Sequence, residues 1–136
     1  MAQSENSAQR FEHINDVTAE VLDAAIEVHR FLGAGALEST YSLCLTQELR
    51  LRSLVVRTQV ALPLVYKGVS VDAGYRLDML VEERVVVELK AVDRIAPVHH
   101  AQLISYLRLS GHKVGLLLNF NVPRMIDGVV RHVNRL

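Results

Sequence analysis

Tryptophan is absent from the sequence, and cysteine occurs once, as Cys44. One cysteine cannot form an internal disulfide, so the chain must be held together by packing alone, and a small disulfide-stapled scaffold is excluded. No charged segment followed by an uninterrupted apolar run marks a signal peptide or a membrane span, and a reducing cytoplasm is the expected compartment. An excess of either charge is also missing, because fifteen Lys and Arg balance fifteen Asp and Glu. The field of the whole molecule therefore cannot supply the non-specific attraction used by strongly basic nucleic-acid binders, and any phosphate binding must be local. Linkers, internal repeats and low-complexity segments are lacking too, which leaves one unit. What the chain does have is apolar material: half of its 136 residues are hydrophobic, enough to bury a sizeable core. Residues 1–10 are polar and without periodicity, so they are expected to fray, with 11–136 forming a single domain.

Val17, Val21, Ala25, Val28 and Leu32 recur at helical spacing, with Asn15 or Asp16 as N-cap and Gly33 as the stop. After Gly33-Ala34-Gly35, the four-residue spacing of Leu37, Tyr41, Leu45 and Leu49 predicts a second helix with Glu38 in its first turn. Residues 55–66 alternate in polarity and read as a half-buried edge strand, because Pro63 lacks a ladder donor; Lys67-Gly68 then turns the chain. Two more strands are expected over 75–81 and 85–90. Pro97 at N1 and Gly111 at C′ bracket a third helix, Val114 to Phe120 reads as a buried strand, and residues 126–133 as a weaker edge strand. The order is ααβββαβ(β): an α/β unit with a mixed sheet flanked by helices.

Chemistry is concentrated in Arg76-Leu77-Asp78-Met79-Leu80 and Val85-Val86-Val87-Glu88-Leu89-Lys90. Residues two apart on a strand share a face, so Glu88 and Lys90 project together from an otherwise apolar strand. A hard divalent cation such as Mg²⁺ or Mn²⁺ is one reason for such charges, with Asp78 on the neighbouring strand as second carboxylate and Lys90 beside the scissile phosphate. The same residues also suit a cross-strand surface ion pair, an arrangement worth only about 0–1 kcal/mol. Register separates the two readings. A two-residue turn at Glu82-Glu83 would oppose Asp78 to Val87 and send the two carboxylates to opposite faces; a three-residue connection centred on Glu83, or a bulge near Asp78, brings them together. The latter is expected.

The run Gly35-Ala36-Leu37-Glu38-Ser39-Thr40-Tyr41 matches Gly-x-x-Glu-x-x-Tyr. Asp78, Glu88-Leu89-Lys90 and Gln102-x-x-x-Tyr106 follow in order. In these motifs the chain resembles the GxxExxY protein family, a branch of the PD-(D/E)XK nuclease superfamily with its restriction-endonuclease-like core, over nearly its whole length. The resemblance implies that Asp78, Glu88 and Lys90 are catalytic, and that Asp78, Glu88, the Leu89 carbonyl and Glu38 are metal contacts. It also implies that Gln102 and Tyr106 face the site. Gln102 and Tyr106 lie four apart on one helix face, so a shared ligand is geometrically allowed.

Other residues carry plainer readings. Glu38 suits the helix dipole, worth about 0.3–1 kcal/mol without any catalysis. Tyr41 reads as a core anchor and Cys44 as a small buried hydrophobe. His99 and His100 are adjacent, hence about 100° apart on a helix, and are expected at the rim of the site or in solvent. Arg76 and the other basic residues are scattered along the chain. Two functions are consistent with this pattern. One is a metal-dependent nuclease acting on DNA ahead of RNA. The other is a nuclease-like accessory module acting through a partner protein or a nucleic-acid end. Small size and neutral charge suit self-association or a partner, and no membrane is expected.

Overall fold

A computed structural model describes residues 11–135, so the expected fraying of residues 1–10 falls outside the described part. Helix α1 is Ile14–Leu32, and the anticipated stripe of Val17, Val21, Ala25 and Val28 is its buried face. Gly33 ends it at φ +69, donating its N–H to the His29 carbonyl. The helix starts earlier than expected. His13 rather than Asn15 or Asp16 is the N-cap, because the Asp16 carboxylate reaches back to the His13 N–H at 3.3 Å. Helix α2 is Glu38–Leu51 and buries Tyr41, Leu45 and Leu49. Leu37 does not join them: as N-cap it precedes the first helical turn and is 71% exposed.

The main sheet comprises β1 (Val56–Ala61), β4 (Arg76–Val81), β5 (Val85–Lys90), β6 (Val114–Asn119) and β7 (Val129–Val133), ordered β1-β4-β5-β6-β7. Only β5 and β6 pair in parallel, and helix α3 (Pro97–Ser110) connects them. Pro97 and Gly111 bracket α3 as anticipated, with Gly111 at φ +76. The expected single strand over 55–66 is instead two. It breaks at Leu62-Pro63, and β2 (Leu64–Tyr66) turns back through Lys67-Gly68 onto β3 (Val69–Val71) as a separate hairpin. Proline stops the ladder, and the positive φ of Lys67 and Gly68 makes the tight turn. The tail is likewise partly corrected, since a 3₁₀ turn at Met125–Gly128 precedes β7.

One core cluster lies between the sheet and α1/α2, with Val85, Val87 and Leu89 of β5 in it; the other lies between the sheet and α3 and contains Val86. This alternation sends Glu88 and Lys90 to the α3 side. Tyr41 anchors the first layer. Its ring is fully buried and stacks on Phe120 at 4.5 Å, while its hydroxyl donates to the Gly33 carbonyl at 2.5 Å and accepts from the Ala36 N–H at 3.2 Å. The tyrosine thus ties the α1–α2 connection to the core. Tyr41→Phe is expected to destabilise by about 1–3 kcal/mol, since two backbone groups lose their partner. Urea denaturation checks this, and an unchanged midpoint would show the hydroxyl to be dispensable.

Candidate active site

Strands β4 and β5 are joined by the three residues Glu82, Glu83 and Arg84, with Val81 opposite Val85, Leu80 opposite Val86 and Met79 opposite Val87. Continuing that register by one step sets Asp78 opposite Glu88, as the odd-numbered connection requires. Holding it takes two non-glycine residues at φ +54, Glu82 and Glu83, each costing roughly 1–2 kcal/mol. Both are tied down by β1 and its approach. The Glu82 carboxylate accepts the Val55 N–H at 2.6 Å, and Glu83 pairs with Arg57 at 2.7 Å.

At Asp78 the regular ladder gives way to side chains. Asp78 Oδ2 accepts the Leu89 N–H at 2.9 Å, and the Asp78 N–H donates to Glu88 Oε2 at 3.3 Å. Strict alternation also lapses here. Leu77 packs with Leu80 on the α3 side, whereas Met79 and Val81 pack on the α1/α2 side. Across on β1, the residue facing Asp78 is Gln59, at φ +51. The Asp78 carboxylate is therefore aimed into the gap between β4 and β5, where it reaches cavities on both faces of the sheet.

On the α3 side, a cavity of about 150 Å³ is lined by Asp78, Glu88, Lys90, Arg76, His99, Gln102 and Tyr106. Asp78, Glu88 and Lys90 thus meet Gln102 and Tyr106 in one place. On the other side, a groove of about 630 Å³ is lined by Glu38, Arg50, Gln59, Asp78 and Leu89. Glu38 shares this groove with Asp78 and Leu89 and stands apart from Glu88 and Lys90. Leu89 faces β4 through its N–H. Because a strand residue directs its N–H and C=O to the same edge, the Leu89 carbonyl opens on the same gap. Its neighbour Lys90 turns the other way and accepts the Phe120 N–H at 2.9 Å.

Glu88 is the electrostatic anomaly. It is 6% exposed, and among the described residues its Oε1 is the one buried side-chain polar atom without a hydrogen-bond partner. Burial, and then the adjacent Asp78 carboxylate, push its pKa up to about 10. Lys90 is close enough to lower that value but forms no ion pair with it. A buried carboxylate pair with a bare oxygen requires either a shared proton or a cation. The donor set available is two carboxylates and a main-chain carbonyl, all hard oxygens; no cluster of three or more His, Cys, Asp or Glu exists among the described residues. Few protein oxygens with water completing the shell is the pattern that Mg²⁺ and Mn²⁺ accept, so the residues present fit such an ion.

Around the carboxylates stand donors that no described residue uses. The Lys90 ammonium, the Gln102 amide and the Tyr106 hydroxyl have no hydrogen-bond partner among the described residues. Burial and the nearby Glu88 and Asp78 raise the Tyr106 pKa, which keeps that hydroxyl protonated. His99 is a rim residue, as expected. Its Nδ1 accepts the Ala96 N–H at 3.0 Å, so in the neutral ring Nε2 carries the proton. Three further residues are placed by the fold. Arg76, though exposed, lines the cavity. Buried Asn119 holds the loop after Lys90 by bonds to the Val92 N–H and carbonyl at 3.1 and 2.9 Å. His100 meets His132 of β7 at 2.9 Å, away from the cavity lining. No helix of the described residues is long and apolar enough to cross a membrane.

Comparison with known proteins gives one match. The family model described as PD-(D/E)XK nuclease superfamily covers residues 15–132. No curated protein and no solved structure matches the chain. The matched span includes every residue lining the carboxylate cavity and the mixed sheet that carries it, and the chain belongs to the PD-(D/E)XK nuclease superfamily.

Proposed function

We propose that the chain is a divalent-metal-dependent nuclease that hydrolyses phosphodiester bonds, in DNA ahead of RNA. The observation that carries this reading is the buried, partnerless Oε1 of Glu88 beside Asp78, on a strand whose other buried residues are apolar. Asp78 and Glu88 would hold the cation, with the Leu89 carbonyl on the same edge and Glu38 as an outer acidic contact from the neighbouring groove. When bound, Mg²⁺ or Mn²⁺ neutralises phosphate charge and makes water a better nucleophile. Lys90 donates to the phosphoryl oxygens on which negative charge develops. Gln102 and Tyr106 orient the phosphate by donating from one face of α3, and His99 supports them from the rim.

The test is incubation of end-labelled single- and double-stranded DNA and RNA with Mg²⁺, Mn²⁺ or EDTA. Cleavage is expected only with metal, and faster on DNA. Retained Mn²⁺ binding with no cleavage of any substrate would instead indicate an accessory module. Calorimetry separates the ligand role from catalysis. Asp78→Asn keeps an oxygen for the Leu89 N–H but removes one of two charges, so Mn²⁺ affinity is expected to fall about tenfold or more. Unchanged affinity would contradict the assignment of Asp78 as a ligand.

A further inference from the structure

Tyr106 lines the carboxylate cavity and Tyr75 packs against it from outside, both with hydroxyls unpartnered among the described residues. The rings of Tyr75 and Tyr106 are 5.9 Å apart between centroids and tilted by 54°. Tyr106 is a wall of the cavity that holds Asp78, Glu88 and Lys90. Tyr75 is 38% exposed, yet its backbone is fixed: its carbonyl accepts the Leu62 N–H at 3.0 Å and Arg76 Nη1 at 2.9 Å. The backbone bonds fix where the side chain starts and the Tyr106 ring limits how it can turn, which leaves an exposed π-surface beside the cavity. Arg76, the next residue, lines the same cavity and forms no salt bridge among the described residues.

We propose that Tyr75, together with Tyr106, forms a stacking platform for an unpaired base next to the bond being cut, and that Arg76 holds that nucleotide's phosphate. The site in consequence selects single-stranded over duplex nucleic acid; this rests on the nuclease reading of the same cavity. Within a duplex both faces of a base are already stacked, so the ring can engage only a base that is unpaired. Every base has a π-face, which makes such a platform tolerant of sequence. Charge points the same way. Duplex affinity is drawn mainly from many phosphate contacts, and a chain of zero net charge with only Arg76 and Lys90 as cationic side chains lining the cavity supplies few. Short-range stacking then has to provide the affinity. Arg76 adds a fork suited to a phosphate, held at the end of β4 two residues before Asp78.

Fluorescence anisotropy with a short labelled DNA single strand and its blunt duplex, in Ca²⁺ so that binding is read apart from cleavage, tests the proposal. The natural protein is expected to bind the single strand about tenfold or more tightly than the duplex. Tyr75→Ala is expected to lose about tenfold on the single strand and little on the duplex, erasing the preference. Tyr75→Phe is expected to retain it, because stacking needs the ring and not the hydroxyl. Equal affinity for the two DNAs, an equal loss on both in Tyr75→Ala, or a Tyr75→Phe variant that behaves like Tyr75→Ala would each overturn the proposal. Mn²⁺ calorimetry on the same natural protein keeps the two readings apart. Metal binding without strand preference removes the platform alone, and strand preference without metal binding removes the nuclease reading alone.

Discussion

Lys90→Ala is expected to lower metal-dependent cleavage by about two to three orders of magnitude while Mn²⁺ affinity and melting temperature stay close to those of the natural protein. The ammonium is the last side chain of β5 and lies in the same cavity as the two carboxylates. It has no ion pair and no hydrogen bond to lose among the described residues, and the Lys90 carbonyl, which accepts the Phe120 N–H, survives the substitution. Stability therefore should change by no more than about 0.5 kcal/mol, as at other sites without structural partners. Activity should not be spared. A cation beside the phosphoryl oxygens stabilises charge that grows only as the bond breaks, so its loss falls on turnover rather than on binding. Single-turnover rates at saturating Mn²⁺ measure this directly. A rate within tenfold of the natural protein would take Lys90 out of the reaction and leave it as a rim charge.

Much of this arrangement was legible because it depends on neighbours in sequence. Pro97, Gly111 and Gly33 punctuate the helices wherever they are read, and Glu88 and Lys90 must share a face because a strand alternates. An odd-numbered connection or a bulge was expected because only these put Asp78 and Glu88 on one face, and the three residues Glu82-Glu83-Arg84 supply the odd count. What remained hidden depends on residues far apart. Nothing near Asp78 says that its carboxylate would capture the Leu89 N–H and splay two strands, or that Gln59 on β1 would take a left-handed backbone opposite it. Glu38 shows the same limit. The resemblance implied a metal contact shared with Asp78 and Glu88, whereas the sheet stands between Glu38 and Glu88 and, of the residues lining the two cavities, Asp78 alone is common to both. Arg76 looked like one of several dispersed cations until β4 was paired. Val69-Ser70-Val71 is too short to read as a strand until Leu64–Tyr66 is folded against it.

Glu88→Gln is expected to stabilise the metal-free protein at alkaline pH and to leave it unchanged in acid. The Glu88 carboxyl has an ordinary value near 4.5 and is pushed up to about 10 in the fold, first by burial and then by Asp78. Below the ordinary value both folded and unfolded chains hold the proton, and the full stability is present. Between the two values the folded chain keeps a proton that the unfolded chain has released, so stability falls as pH rises and continues to fall up to the folded value. Glutamine copies the protonated form and removes that slope. Groups remote from Glu88 titrate alike in both proteins and cancel in the comparison. At about pH 8 the difference amounts to several kcal/mol, or on the order of 10 °C in melting temperature. Melts in EDTA across the pH range read it directly. Saturating Mn²⁺ should then narrow the gap: the natural protein gains about 2.7 kcal/mol at a hundredfold excess of metal over Kd, and the variant, lacking the charge, gains far less. Parallel melting curves in EDTA from acid to alkaline pH would mean that Glu88 is not held as a charge-deprived carboxylate. The bare Oε1 would then lose its claim to mark a cation site.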